Sequence, residues 1–212
     1  MDRNGVDVAI VRAMGAELAV HNREGNERVL RAGARIRGLA TASPWARGAI
    51  EELKRSREMG AAGLYLHPTR QGFMPTDEIV EPLLDVAAEA RWPVVVHTGT
   101  YIQSDVLALA EVARRRRELT FVADGAGFTD MWFELPGVME EVANLALCGS
   151  FIWARAIGNA IKRFGVSRLM FGSGMPRDSL AAALKRFERL EMSEEDRRAF
   201  MGDNARRIFG AS

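Results

Sequence analysis

The sequence predicts an α/β fold in which short buried strands alternate with helices. Three observations carry this. Short apolar runs alternate with longer amphipathic segments through all 212 residues, the pattern of strand–helix units with right-handed crossovers. The apolar runs lack a clean polar alternation, as strands buried on both faces of a parallel sheet do. No Gly-rich dinucleotide loop follows an early strand, which lowers the weight of a nucleotide-binding open sheet against a closed barrel.

The strands read in order as Val6 to Val11, Ile36 to Thr41, Gly63 to His67, Pro93 to His97, Leu119 to Ala123, Asn144 to Cys148 and Arg168 to Gly172. The fourth is the clearest, with three β-branched residues after a proline that suits a strand start. Helices lie between them. Ser43-Pro44 reads as an N-cap followed by proline at the first helical position, opening a helix to Met59 that Gly60 closes. Thr76 is read as the cap of a helix through Glu89, and Ser104 as the cap of one ending in Arg114 to Arg117. Gly165 closes the next, and Ser193 with Asp196 resembles a capping box.

Composition bounds the function. At 48% hydrophobic and 27% charged residues the chain is an ordinary globular one, and residues 1–212 are read as one domain. A net charge of +1 creates no field toward nucleic acid or a membrane surface, and neither is expected as a partner. No apolar run approaches the ~20 residues of a membrane span. The single cysteine, Cys148, forbids an intrachain disulfide and is read as a small buried hydrophobe. With the polar start, it leads to an expectation of a cytoplasmic protein.

In parallel α/β folds, functional groups stand at the carboxyl ends of strands. Here those ends are His67-Pro68, His97-Thr98-Gly99, Asp124-Gly125 and Phe171-Gly172-Ser173-Gly174-Met175-Pro176. His97 reads as a metal ligand, a general base or a core histidine. His67 reads as a substrate-binding group or as a loop-ordering residue before Pro68. Asp124 is a base, a ligand or a turn residue. Together the three make a candidate metal triad, provided their strand ends converge. Arg70, Tyr101 and Arg177 sit at the expected mouth, where they can bind a carboxylate or pair with local charges. Phe128, Met131, Trp132 and Phe133 form an aromatic segment after a strand end, read as a pocket wall or an interface. His21 reads as solvated, and the arginines at 114–117 as a helix end where cations favour the dipole.

Four segments in order carry a resemblance: Gly63 to Phe73, Val96 to Gly99, Phe171 to Pro176, and Asp203 to Gly210. They resemble the amidohydrolase superfamily, in particular the amidohydrolase-related group of enzymes like aminocarboxymuconate-semialdehyde decarboxylase. The resemblance implies a TIM-type (β/α) barrel of about seven parallel strands lacking the first. It implies descent from a metal-dependent hydrolase or decarboxylase of small molecules. Its metal ligands are a His-x-His pair on the first strand, a His on the fifth and an Asp on the eighth, with a further acid–base His on the sixth. Mapped here, the fifth-strand ligand is His97, the sixth-strand position is Asp124 and the eighth-strand position is Gly174. One ligand of four is kept. A catalytic divalent site needs about three protein ligands, so no cofactor is expected at full occupancy; zinc held through His97 is the ion the resemblance leaves open. The expectation is therefore a barrel with impaired or lost metal-dependent catalysis, or a non-catalytic binding or partner subunit. Catalytic weight falls on His97 and Asp124, and substrate contacts on His67, Arg70, Tyr101 and Trp132. A missing strand would expose two strand edges, so a homodimer or a loop covering that side is expected.

Overall fold

The computed structural model describes residues 1–100, 102–125, 133 and 135–210. All seven expected strands are present: β1 (Ala9–Val11), β2 (Ile36–Gly38), β3 (Leu64–Leu66), β4 (Val94–His97), β5 (Phe121–Asp124), β6 (Leu145–Cys148) and β7 (Leu169–Met170). Every pairing is parallel and sequential. A single bridge, Ala40 to Leu64, joins the β1–β2 pair to the five-stranded β3–β7 sheet. The result is a seven-stranded parallel barrel with a seam between β7 and β1.

The strand period of two divides each strand between two cores. Leu64, Leu66, Val94, Val96, Phe121, Ala123, Leu145, Leu147 and Leu169 point outward into the layer formed with the helices. Tyr65, Val95, Val122, Ala146 and Met170 point inward, with Ile10 and Leu39, and fill the barrel interior. Both faces are buried, which is why the strands carry no polar alternation.

At the amino ends of the strands, polar side chains clamp backbone carbonyls. Asn144 Nδ2 donates to the carbonyls of Ala113, Arg116 and Leu119. Arg168 donates to those of Met139, Val142 and Leu145. Asn204 Nδ2 donates to Val166 and Leu169, both at 2.8 Å.

Asn204 also belongs to the segment that lies across the seam. The helical run Glu194–Arg198, Ala199–Asp203 and Asn204–Phe209 is continuous, with a π-helical middle. The Phe171 N–H, just beyond β7, donates to the Phe200 carbonyl at 2.8 Å. Arg206 pairs with Asp7 ahead of β1 at 3.6 Å. Ala205, Ile208 and Phe209 pack against the inner core beside Ile10. The element lying across this side is a helical run of the chain itself, where the sequence reading expected a loop or a second copy.

Several helix starts differ from the sequence reading. Residues 44–48 form turns and the helix begins at Ala49, because Gly48 stands at φ +83, where no helix can pass. The Ser43 N–H instead donates to Asn22 Oδ1 at 2.6 Å. The helix expected from Thr76 begins at Glu81 after a 3-10 turn, with Pro82 in its first turn. The cap expected at Ser104 is Asp105, whose carboxylate accepts from the Leu107 N–H, while Ser104 turns inward to Thr69. Gly60, Gly165 and the Ser193 cap stand as read.

Asn204 ties the seam-covering helix to the carbonyls of Val166 and Leu169, the second bond buried. Asn204→Ala is expected to cost about 1–3 kcal/mol, because the buried Leu169 carbonyl loses its side-chain partner while Val166 keeps the Leu169 N–H. Urea unfolding of the two proteins measures it, and a change below ~0.5 kcal/mol would show that the helix docks through its apolar face alone.

Candidate functional site at the barrel mouth

The inward positions of the strands extend upward by the same period. Two residues beyond Ile10, Leu39, Tyr65, Val95, Val122, Ala146 and Met170 stand Arg12, Thr41, His67, His97, Asp124, Cys148 and Gly172. This is the layer at the carboxyl ends, where a parallel barrel carries chemistry. The register supports it directly, since His97 lies opposite Asp124 and Asp124 opposite Cys148.

The layer is densely interconnected. The His67 and His97 rings stack, with centroids 4.0 Å apart and planes 26° from parallel. The Arg70 N–H approaches His67 Nδ1 at 3.4 Å, capping the short helix Pro68–Gln71. His97 Nε2 meets Thr100 Oγ1 at 2.6 Å. From the layer below, the Tyr65 hydroxyl donates to Asp124 Oδ2 at 3.1 Å. The Arg12 guanidinium lies 4.5 Å from the Tyr65 ring centre and its Nε is 3.9 Å from the same Asp124 oxygen. Gln71 Nε2 donates to Thr41 Oγ1 at 3.2 Å, and Cys148 Sγ lies 3.3 Å from Ser150 Oγ.

Burial and charge set the protonation states. Both histidines and Asp124 are buried. Desolvation drives the His67 imidazolium pKa down to about 2, with the neighbouring His97, Arg12 and Arg70 adding to it. His97 is pushed down to about 4 by desolvation, opposed by Asp124 and assisted by Arg12, Arg177 and Arg70. Burial, then Asp124, raises the Cys148 thiol to about 12, so it is no nucleophile at neutral pH. Tyr65 is likewise held protonated by burial and Asp124. Both imidazoles are thus neutral at neutral pH, beside Asp124 and a set of arginines.

His67, His97 and Asp124 therefore come together, with Arg70 at the exposed edge. Tyr101, Phe128, Met131 and Trp132 lie outside the described residues, while Phe133 is 73% exposed. Sequence reasoning passed over Arg12 and Thr41 and placed Cys148 among inert core residues. The signal for Arg12 was present: it is the first charged residue after the first apolar run, at the same strand-end position as His67 and His97.

The divalent metal that the resemblance implies does not fit the described residues. Gly174, which the resemblance sets against the eighth-strand Asp, has φ +71, and a Cβ there would lie 2.5 Å from a Phe151 ring carbon. His97 Nε2 is engaged by Thr100, and the Asp124 carboxylate by Tyr65 and Arg12. Among the described residues no three His, Cys, Asp or Glu side chains converge to hold a metal.

Fold and site together define a parallel (β/α) barrel with a polar, partly buried layer at its carboxyl-terminal mouth. The Amidohydrolase family model matches residues 3–211, and the chain belongs to that family. Comparison with curated protein sequences gives no match. Among solved structures, the chain is similar to 5-carboxyvanillate decarboxylase of Sphingomonas paucimobilis. The TM-score is 0.78 at 18% identity, over 100% of this chain and 81% of that one. It is similar to 2,6-dihydroxybenzoate decarboxylase of Rhizobium, with a TM-score of 0.77 at 17% identity, over 99% of this chain and 86% of the other. The 5-carboxyvanillate decarboxylase of Novosphingobium aromaticivorans, described with bound manganese, matches with a TM-score of 0.79 at 16% identity, over 99% and 78% of the two chains. At these identities the likeness is one of fold.

The histidines make acid stability a test of this site. Both folded-state values lie below the ordinary 6.5, so the unfolded chain takes up protons that the folded chain refuses. Their unfavourable effect is absent above about pH 6.5. It grows as pH falls from there to about 4 for His97, and on toward about 2 for His67. Denaturation followed between pH 7.5 and 4.5 should show falling stability, with a shallower slope in His97→Asn than in the wild type. Equal slopes would mean that His97 is more solvated than the stacked geometry allows.

Proposed function

We propose that this member of the amidohydrolase family has lost the metal-dependent hydrolase or decarboxylase chemistry of its lineage and keeps the barrel mouth as a metal-free site for a small molecule. The observation that carries the reading is the pair Gly174 and Phe151. The aromatic ring fills the space into which an eighth-strand carboxylate would project. The backbone there lies in the left-handed region, which disfavours a side chain. With one imidazole left from the set the resemblance implies, and that imidazole bonded to Thr100, the described residues offer no scaffold for an activated metal-bound water.

What remains suits binding and general acid–base work. His97 is neutral at physiological pH and faces Asp124 across one strand spacing, the arrangement of a base beside a carboxylate. That observation favours a second reading, a metal-free acid–base enzyme working through His97 and Asp124. Arg70 supplies a cation at the exposed edge of the buried His67–His97 stack.

Metal content tests the main reading. Protein purified without chelator should carry zinc, manganese and iron far below stoichiometry, and calorimetric titration with manganese should show no binding in the micromolar range. Stoichiometric metal that disappears in His97→Ala would overturn the proposal. Gly174→Asp offers a second measurement. Restoring the carboxylate should not restore metal binding, and should destabilise the fold by roughly 1–3 kcal/mol because Phe151 must move and the left-handed backbone must be kept.

A further inference from the structure

The charge balance of the mouth points to a role for Arg12. By strand parity it is the contribution of β1 to the polar layer, immediately beside the seam. Its side chain is held on three sides. The Tyr65 ring lies against the guanidinium, Asp124 is 3.9 Å from Nε, and Nη1 donates to the Ala13 carbonyl at 3.2 Å. Nη2 has no acceptor among the described residues, and it is not among the buried atoms left without a partner. The side chain keeps 21% of its exposure. One edge of a fixed guanidinium therefore remains open to a ligand.

The neighbouring charges have the same sign. Arg70 and Arg177 are exposed and form no ion pair among the described residues; Arg177 lies over the Phe151 ring at 5.2 Å. Both, with Arg12, act electrostatically on His97. Among the described residues, Asp124 is the one carboxylate paired with any of the three. The buried imidazoles add no negative charge. The mouth thus carries an excess of positive charge in a partly desolvated setting, where an anion gains most.

We propose that Arg12 is the resident cation of this site and that, with Arg70 and Arg177, it receives a small carboxylate. The proposal rests on the metal-free reading above. A guanidinium presents parallel N–H donors that match the two oxygens of a carboxylate. Asp124 and Tyr65 then hold the guanidinium in place, so that its orientation exists before the ligand arrives.

Calorimetric titration of benzoate, and of benzamide as its neutral isostere, tests this on the full chain with EDTA present. Benzoate should bind and benzamide should bind about 10-fold or more weakly, because only the carboxylate gains a charge-assisted pair. Arg12→Gln should weaken benzoate by about 10-fold to 100-fold while leaving benzamide unchanged. Arg12→Lys, which keeps the charge but not the fork, should fall between. Circular dichroism establishes that each variant is folded. If Arg12→Gln does not fold, Arg12→Lys and the wild-type benzoate–benzamide ratio still decide. Equal binding of the two probes, no benzoate binding at millimolar concentration with or without metal, or an Arg12 variant that binds benzoate as well as wild type would overturn the role of Arg12. Benzoate binding that appears only when manganese replaces EDTA would instead overturn the metal-free reading on which it rests.

Discussion

The organising constraint is the alternation of side chains along parallel strands that are buried on both faces. One parity of each strand is given to the helices outside and the other to the barrel interior. Because the strands are parallel and in sequential order, the inward residues form layers, and all carboxyl ends come to one side. An apolar layer of Tyr65, Val95, Val122 and Ala146 therefore supports a polar layer one step above it. A shift of one residue in any strand would exchange His97 for Thr98 or Asp124 for Gly125 and dissolve the site.

The two ends of the barrel use polar side chains differently. At the amino ends, Asn144, Arg168 and Asn204 spend their donors on backbone carbonyls. They fix helices and strands to each other and leave little for a ligand. At the carboxyl ends, polar side chains contact one another and leave capacity open. Tyr65 connects the apolar and polar layers, with its ring in the inner core and its hydroxyl on Asp124.

The proposed departure from metal chemistry is local. It rests on the Phe151 ring beside Gly174 and on the contact between Thr100 and His97. The strands themselves keep a fold similar to that of the solved decarboxylases. Charge is what the remaining residues have in quantity. Burial keeps the imidazoles neutral, so the arginines set the sign of the mouth.

The sequence by itself determined the strand–helix alternation, the seven strands, the strand-end positions of His67, His97 and Asp124, and the glycine at 174. These follow from local hydrophobicity, turn chemistry and a resemblance spread along the chain. Helix starts at Gly48 and Asp105 were less legible, because a glycine's backbone angle and the choice between Ser104 and Asp105 depend on what lies across the interface. Only the tertiary structure decided that Arg12 joins the site. Its partners, Tyr65 and Asp124, are far from it along the chain, and its strand-end position alone does not say that the charged side chain turns inward to meet them. The ring of Phe151 over Gly174 is the same kind of fact. A contact between loops after different strands exists only once the barrel has brought those strand ends to one face.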